Sequence, residues 1–368
     1  MLSARGAQID RRYRLSVLIR NFAIQSLASV NSSFPLPLFA LCALTIAFSG
    51  IFYIEGTSTD IGSSYYLYGF ILMAPFILLA WRHIGLRIFF IIGLLLLLAF
   101  NGTSLKSITL GAIGLLVVNA LRSPKDEGLQ HAVTICRATF CILIVASLVL
   151  PVILPGFGLV SSAKFDGFDL RLRLTTAESS YLAFLLGSFF CIDRNKWWKL
   201  SYAAILIMAQ SIFGFFWILF LYRPKIGAAV FFAGVAYVIF LRYWLRDEYF
   251  FFESSGFARF IGLDLLRLVD VSTLTTGAGI GVGDELLNDV YGYSYSVRLP
   301  GFLFSFLFDV GIVGLLLYFS AICKSLREAV ALAILLCNFS PFLPFVAFGV
   351  AIVRIRASQE RPAGMGHI

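Results

Sequence analysis

Apolar residues in this chain gather in long unbroken runs instead of recurring every second or every third and fourth position. Ten runs stand out: Leu36–Ile54, Tyr65–Trp81, Ile84–Phe100, Leu105–Leu121, Ala138–Leu154, Ser179–Ile192, Leu200–Leu221, Lys225–Leu241, Leu299–Phe319 and Ala329–Val353. Most approach the roughly 20 residues that a helix needs to cross a bilayer. The pattern predicts an all-α fold, a polytopic transmembrane bundle of about ten helices, over residues 36–353. Residues 1–35 form a basic arm ahead of it and residues 354–368 a basic tail behind it. Two connections are long, residues 155–178 and about 246–298; the others are short.

Composition agrees with that reading. Of the 368 residues 60% are hydrophobic and only 13% charged, which leaves little room for a soluble domain. The net charge of +9 is spread over loops and ends, where it reports topology and contact with anionic headgroups, not nucleic acid. The arm carries Arg5, Arg11, Arg12, Arg14 and Arg20, but its first apolar run comes too late for a cleavable signal, so it reads as a retained cytoplasmic segment, amphipathic near Leu15 to Leu27. The six cysteines, Cys42, Cys136, Cys141, Cys191, Cys323 and Cys337, sit in or beside apolar runs and read as small core residues.

Basic residues in loops should mark the cytoplasm. The arm, Arg82–Arg87, Arg122–Arg137 and Asp193–Lys199 fall on one side, and Glu55–Ser64, Asn101–Ser104 and Pro155–Glu178 on the other. The rule then conflicts with itself. Lys225–Leu241 has Arg223 and Lys225 before it and Arg242 and Arg246 after it. The last run lies between Lys324 and Arg327 on one side and Arg354 and Arg356 on the other, and it contains NFSPFLP, which suits a broken helix or a tight hairpin.

Three stretches carry candidate chemistry. In FDGFDLRLRLTTAESSYLAF, Arg171 and Arg173 precede Glu178 at the head of an apolar helix. Thr175 and Glu178 match a capping box, and arginines at an interface snorkel, so both have ordinary explanations. The alternative is an anion site, because the planar guanidinium fork suits phosphate. Arg223, in LYRPKIGAAVF, and Arg259, in the amphipathic stretch Ser254–Asp270, admit the same pair of readings, interface anchor or phosphate contact. The third stretch, TTGAGIGVGDELLND, spaces glycines at Gly277, Gly279, Gly281 and Gly283. It fails the dinucleotide fingerprint at Val282 and Asp284 and lacks the lysine of a P-loop. The three histidines, His83, His131 and His367, fall in expected cytoplasmic segments, and there is no Cys/His metal pattern, so a base on the opposite face is Asp or Glu, or absent.

Taken in order, an Arg-bearing loop before Ala-Glu-Ser-Ser-Tyr-Leu-Ala, a helix opened by Arg-Pro-Lys-Ile-Gly-Ala, SGFARFIGLDLLRL, TGAGIGVG and FLFDVGIVGLLLYF resemble the bacterial O-antigen and exopolysaccharide polymerases of the Wzy type. These share a superfamily with the O-antigen ligases. The resemblance covers mainly Leu170–Phe319. Ser179 stands where the family often has Pro, Arg223 is followed by Pro-Lys, and the ligase histidine after the glycine turn is missing.

The resemblance implies a GT-C-like bundle in the bacterial inner membrane. Its substrate would be a polyprenyl-pyrophosphate-linked oligosaccharide, polymerised at the outer face without metal or cofactor. It further implies membrane lipids, a chain-length regulator and a flippase as partners, and no nucleic acid. Arg171, Arg173, Arg223 and Arg259 would stabilise the leaving pyrophosphate, with Glu178 or Asp284 accepting the acceptor hydroxyl's proton. Gly279, Gly281, Gly283, Asp284, Tyr293 and Arg298 would line the sugar site, the glycines letting backbone approach the ligand or turn sharply. The competing expectations are a transporter or flippase of a lipid-linked glycan or small anion, and a non-catalytic envelope scaffold.

Overall fold

The computed structural model describes residues 35–49, 72, 73, 75, 85–122, 124, 126–153, 159–162, 170–176, 178–240, 265, 266, 268–280, 302–339, 341 and 344–360. The basic arm, the run Tyr65–Trp81 apart from three residues, and most of 246–298 lie outside them. The elements in chain order are α1 (Leu36–Ala47), α2 (Arg87–Phe100), α3 (Leu105–Ala120), α4 (Asp126–Ile153), β1 (Val160–Ser162), β2 (Leu170–Leu172), α5 (Ser179–Ile192), α6 (Lys196–Ala209), α7 (Ile212–Tyr222), α8 (Pro224–Phe240), α9 (Val271–Thr276), α10 (Phe302–Ile322), α11 (Leu326–Leu336) and α12 (Pro344–Gln359). The described chain is therefore helical, as expected, with one added antiparallel ribbon that pairs Ser161 with Arg171.

α12 is the hub. Every residue from Pro344 to Ile355 is buried, and the helix packs against α1, α3, α5 and α11. Around its first turns Phe345 and Phe348 join Phe39, Phe184 and Phe339 in an aromatic cluster that reaches Tyr181, Phe213 and Trp217. Such rings bury large apolar areas, and tilted or edge-to-face pairs add about 0.5–1.5 kcal/mol each.

Two expected single helices are hairpins. The run Leu200–Leu221 breaks at Gln210, which adopts the left-handed conformation (φ 47°), and Ser211 caps the next helix by accepting from the Gly214 amide. α6 therefore climbs alongside α5 toward β2, and α7 returns. The return brings Gly214 against Ala183, the Trp217 indole onto the Ser188 hydroxyl (2.9 Å) and the Tyr222 hydroxyl near Phe190 O. The run Ala329–Val353 is likewise a hairpin, α11 and α12, turned over residues 337–343. At about 1.5 Å per residue, the 14-residue α6 and 11-residue α7 span roughly 21 and 16 Å.

These breaks settle the conflict in loop charges. Arg87, Arg122, Arg137, Lys199, Arg223, Lys225, Arg327, Arg354 and Arg356 all lie at one end of the bundle. A chain of contacts places them: Arg87 to Cys323 O, Arg137 to Asp193, Lys199 to Tyr222, Arg327 to Leu221 O and Glu360, and Gln359 to Ile192 O. Asn101–Ser104, the β ribbon and Glu178 lie at the opposite end. The segment after residue 353 is not a free tail at its start, since Arg354–Gln359 complete α12 and the Arg354 side chain is 1% exposed.

Arg354 closes the basic end. Its guanidinium donates to Val118 O (2.8 Å) and Leu121 O (2.5 Å) at the end of α3, to Ile322 O (3.0 Å) at the end of α10, and to the Glu328 carboxylate (2.9 Å). Helix C-termini expose unsatisfied carbonyls with partial negative charge, so one cation serves two helices at once. Glu328 also accepts from the Lys324 amide, and Ser325 caps α11. Nearby, Arg137 grips the buried Asp193 through two hydrogen bonds of 2.8 and 2.7 Å, and the Asn195 amide donates to the same carboxylate.

Among the described residues, Gly128–Ile153 is the one helical segment that is both long and apolar enough to cross a membrane; seven further apolar helices have 10–17 residues. Large apolar side chains stand outward along several helices, among them Leu96, Val152, Ile207, Phe215 and Leu316. The cysteines are free; Cys42, Cys136 and Cys191 are core residues, whereas Cys141 faces outward.

Two measurements test this reading. Arg354→Ala should lower the purified protein's stability by about 3–5 kcal/mol, because it strands Glu328 and two helix ends, and Glu328→Ala added to it should cost less than the sum of the two. Burial raises the Asp193 carboxyl's pKa, but hydrogen bonds from Arg137 and Asn195 outweigh it and hold the group below the ordinary carboxylate value. Its ionised form therefore stabilises the fold above the unfolded value of about 4, and that contribution is lost as pH falls through the folded value. Between pH of about 6 and about 3, melting should fall more steeply for the native protein than for Asp193→Asn.

Candidate functional site

The end opposite the basic face is built by a short turn. Leu159 O accepts from the amides of both Arg173 and Leu174, which anchors the chain just after β2. Leu174 then takes a left-handed backbone (φ 51°), a costly conformation for a branched non-glycine residue, while its side chain stays buried. Thr175 and Thr176 are fully buried and hold the turn from within. The Thr175 hydroxyl donates to Ala47 O of α1 (2.6 Å), and the Thr176 hydroxyl lies 2.6 Å from Arg173 O and 2.8 Å from Glu178 O. The expected capping box is absent. Helix α5 starts one residue after Glu178, Thr175 is occupied by α1, and the Glu178 carboxylate accepts from the Ser180 hydroxyl instead (3.0 Å).

The result is an uncommon disposition of charge. Arg173 is withdrawn to 9% exposure, and Glu178 faces solvent at the head of α5. Arginine is rarely buried this far, and strained backbone beside such a residue is a frequent mark of a functional turn. Arg171 lies in β2 opposite Ser161. Helix α5 adds the positive end of its dipole beside the turn, so the surroundings favour an anion.

The glycine stretch lies at the same end but makes a different kind of contact. Asp270 caps α9 by accepting from the Thr273 amide and the Ser272 hydroxyl, and these bonds hold its carboxyl below the ordinary value. Gly277 (φ 82°) ends that helix. The amides of Ala278 and Gly279 then donate to Phe308 O and Asp309 O (3.1 and 3.0 Å). Helix α10 is broken just there, at Gly311 (φ 67°). The break frees those carbonyls, and the glycine loop satisfies them. A Cβ on Gly277 would overlap the Asp309 carbonyl and sit 2.5 Å from Val310 Cα; one on Gly311 would sit 2.5 Å from the Gly277 nitrogen. Asn101 donates to Thr276 O (2.7 Å), and Thr103 accepts from the Ile280 amide, which ties the loop to the α2–α3 turn. The close backbone approach expected of Gly279 is thus made to the protein's own backbone.

Arg223 does not join Arg171 and Arg173. The α6–α7 hairpin returns it to the basic end, a helix length of about 20 Å from Glu178 along α5. The expectation that grouped it with them treated Leu200–Leu221 as one crossing. A signal was present in the polar pair Gln210–Ser211, with a serine placed as a helix cap inside an apolar run. The threonine brace at Thr175 and Thr176 was missed because its partner, Ala47 O, is distant in sequence. Arg259, Gly281, Gly283, Asp284, Tyr293 and Arg298 lie outside the described residues. Among the described residues no group of three or more His, Cys, Asp or Glu side chains converges to hold a metal.

No family model, no curated protein and no solved structure gives a match to this chain.

The docking of the glycine loop makes a direct prediction. Gly277→Ala and Gly311→Ala should each destabilise the purified protein by about 2 kcal/mol or more, since each adds a side chain at positive φ against backbone. Thermal melts that leave both variants within error of the native protein would refute the contact.

Proposed function

We propose that the chain is a multi-pass protein of the bacterial inner membrane that polymerises a polyprenyl-pyrophosphate-linked oligosaccharide at the face opposite its basic end. The membrane part of this reading rests on the outward-facing apolar girdle and on the gathering of lysine and arginine at one end, which the positive-inside rule makes cytoplasmic. Helices shorter than a full span are accommodated as hairpins within the bundle. The polymerase part rests on the ordered motifs between Leu170 and Phe319. The observation that carries it is Arg173, withdrawn from solvent on a strained turn five residues before Glu178.

In the proposed reaction, an acceptor sugar hydroxyl on one lipid-linked unit attacks the anomeric carbon of a second, lipid-linked chain. The new glycosidic bond forms as the bond from that carbon to the pyrophosphate oxygen breaks. Arg171, Arg173 and Arg259 stabilise the departing pyrophosphate, and Glu178 or Asp284 takes the hydroxyl proton. Arg223 has no part in this step, because it stands at the other end of the molecule. Positioning and leaving-group stabilisation supply most of the acceleration.

One feature favours a second reading. The broken helix α10, with backbone docked into its gap, is the type of element that transporters use, so carriage of a lipid-linked glycan or small anion is the alternative.

The deciding experiment is a gel of surface polysaccharide from a deletion strain carrying native protein, Arg173→Gln, Glu178→Gln or Arg194→Gln, with expression checked. Arg173→Gln should reduce long polymer at least tenfold and leave single lipid-linked units, Glu178→Gln should reduce it less, and Arg194→Gln, at the basic end, should match native. Long polymer in the deletion strain would end the polymerase reading, and precursor confined to the cytoplasmic leaflet would establish transport in its place.

A further inference from the structure

At the basic end a groove of about 710 Å³ runs between the close of α7, the start of α8 and the last turn of α12, lined by Tyr222, Arg223, Pro224, Lys225, Ile226, Arg356 and Glu360. Its charges do not cancel. The one carboxylate, Glu360, is already held by Arg327 (2.7 Å) and Arg356 (3.3 Å). Arg356 also stacks over the Tyr222 ring, 4.9 Å from its centre, and the Tyr222 hydroxyl accepts from Lys199 (2.8 Å). Arg223 and Lys225 are exposed and have no side-chain partner among the described residues. Helix α8 begins at Pro224, so the amides of Lys225 and Ile226 lack acceptors within the helix. Two unpaired cations, free amides and a concave wall together suit a phosphate group.

We propose that this groove binds the phosphate headgroup of an anionic glycerophospholipid, a site separate from the polymerisation site and resting on the membrane reading above. What selects a lipid over a free anion is the rim. Ile226 (53% exposed) and Val230 (38%) continue from the groove along α8 as an outward apolar stripe, which gives the acyl chains a surface in line with the headgroup. A lipid seated there holds the α7–α8 turn against the end of α12, joining through its phosphate two elements that meet at Arg356 and Tyr222. Anionic lipids are concentrated at the cytoplasmic leaflet, where the positive-inside rule puts this end.

The test uses the purified full chain in uncharged detergent, titrated with short-chain phosphatidic acid, short-chain phosphatidylcholine and inorganic phosphate, with binding read by thermal shift and by native mass spectrometry. Phosphatidic acid should bind and stabilise, and Arg223→Gln with Lys225→Gln should weaken that binding at least tenfold. Arg194→Gln with Lys196→Gln, at the same end but away from the groove, should leave it unchanged. Both pairs are surface changes, and melts without lipid verify that they fold. Equal binding by native protein and the groove pair, or equal loss in both pairs, overturns the site. Inorganic phosphate binding as tightly as phosphatidic acid overturns the lipid assignment. Alkaline carbonate extraction of native membranes separates the two claims: protein released to the supernatant sinks the membrane reading, whereas retained protein that binds no phosphatidic acid sinks the lipid site alone.

Discussion

The bundle depends on how helix ends are satisfied where they meet. At the basic end the problem is acute, because α3 and α10 finish side by side with free carbonyls directed at one another's surroundings. Arg354 resolves it with a single guanidinium shared among both helix ends and Glu328. A lysine could not do this, since its point charge lacks the planar set of donors. Because Arg354 sits on the fully buried helix α12, the same bond network sets the depth of the hub against its neighbours. Once α12 is placed, its aromatic turns position α5, and α5 carries the Glu178 turn at its other end.

The opposite end solves the same problem with backbone. Helix α10 is interrupted at Gly311, and the carbonyls released there are met by the amides of Ala278 and Gly279. Glycine is required on both sides because no Cβ fits between the two segments. A loop whose spacing invites a ligand-cradle interpretation is, over its first half, a piece of internal joinery. The Arg173–Glu178 turn is different. Its strain at Leu174 and its two buried threonines hold an arginine that packing alone does not require. A site at this turn rests on that contrast.

Charge divides the molecule as clearly as packing does. Basic side chains collect at one end, some absorbed by Asp193, Glu328 and Glu360, others left over in the groove beside Tyr222. The proposed glycan chemistry and the proposed lipid contact therefore belong to opposite faces, and Arg223 moves from the first to the second.

The sequence by itself determined that this is a helical chain of apolar runs with basic connections, because run length and loop charge are local properties. It also marked Arg171, Arg173 and Glu178, which stand within eight residues of one another. It did not determine where a run folds back. Gln210 and Ser211 break one helix into two, and the turn after Leu336 does the same for another, through backbone conformations that hydropathy does not register. Nor did it determine the partners of Arg354 or Thr175, whose hydrogen bonds join residues more than a hundred positions apart. The tertiary structure alone decided which end each arginine occupies, because that depends on the parity of helix crossings, and one hidden hairpin reverses the parity of all that follows.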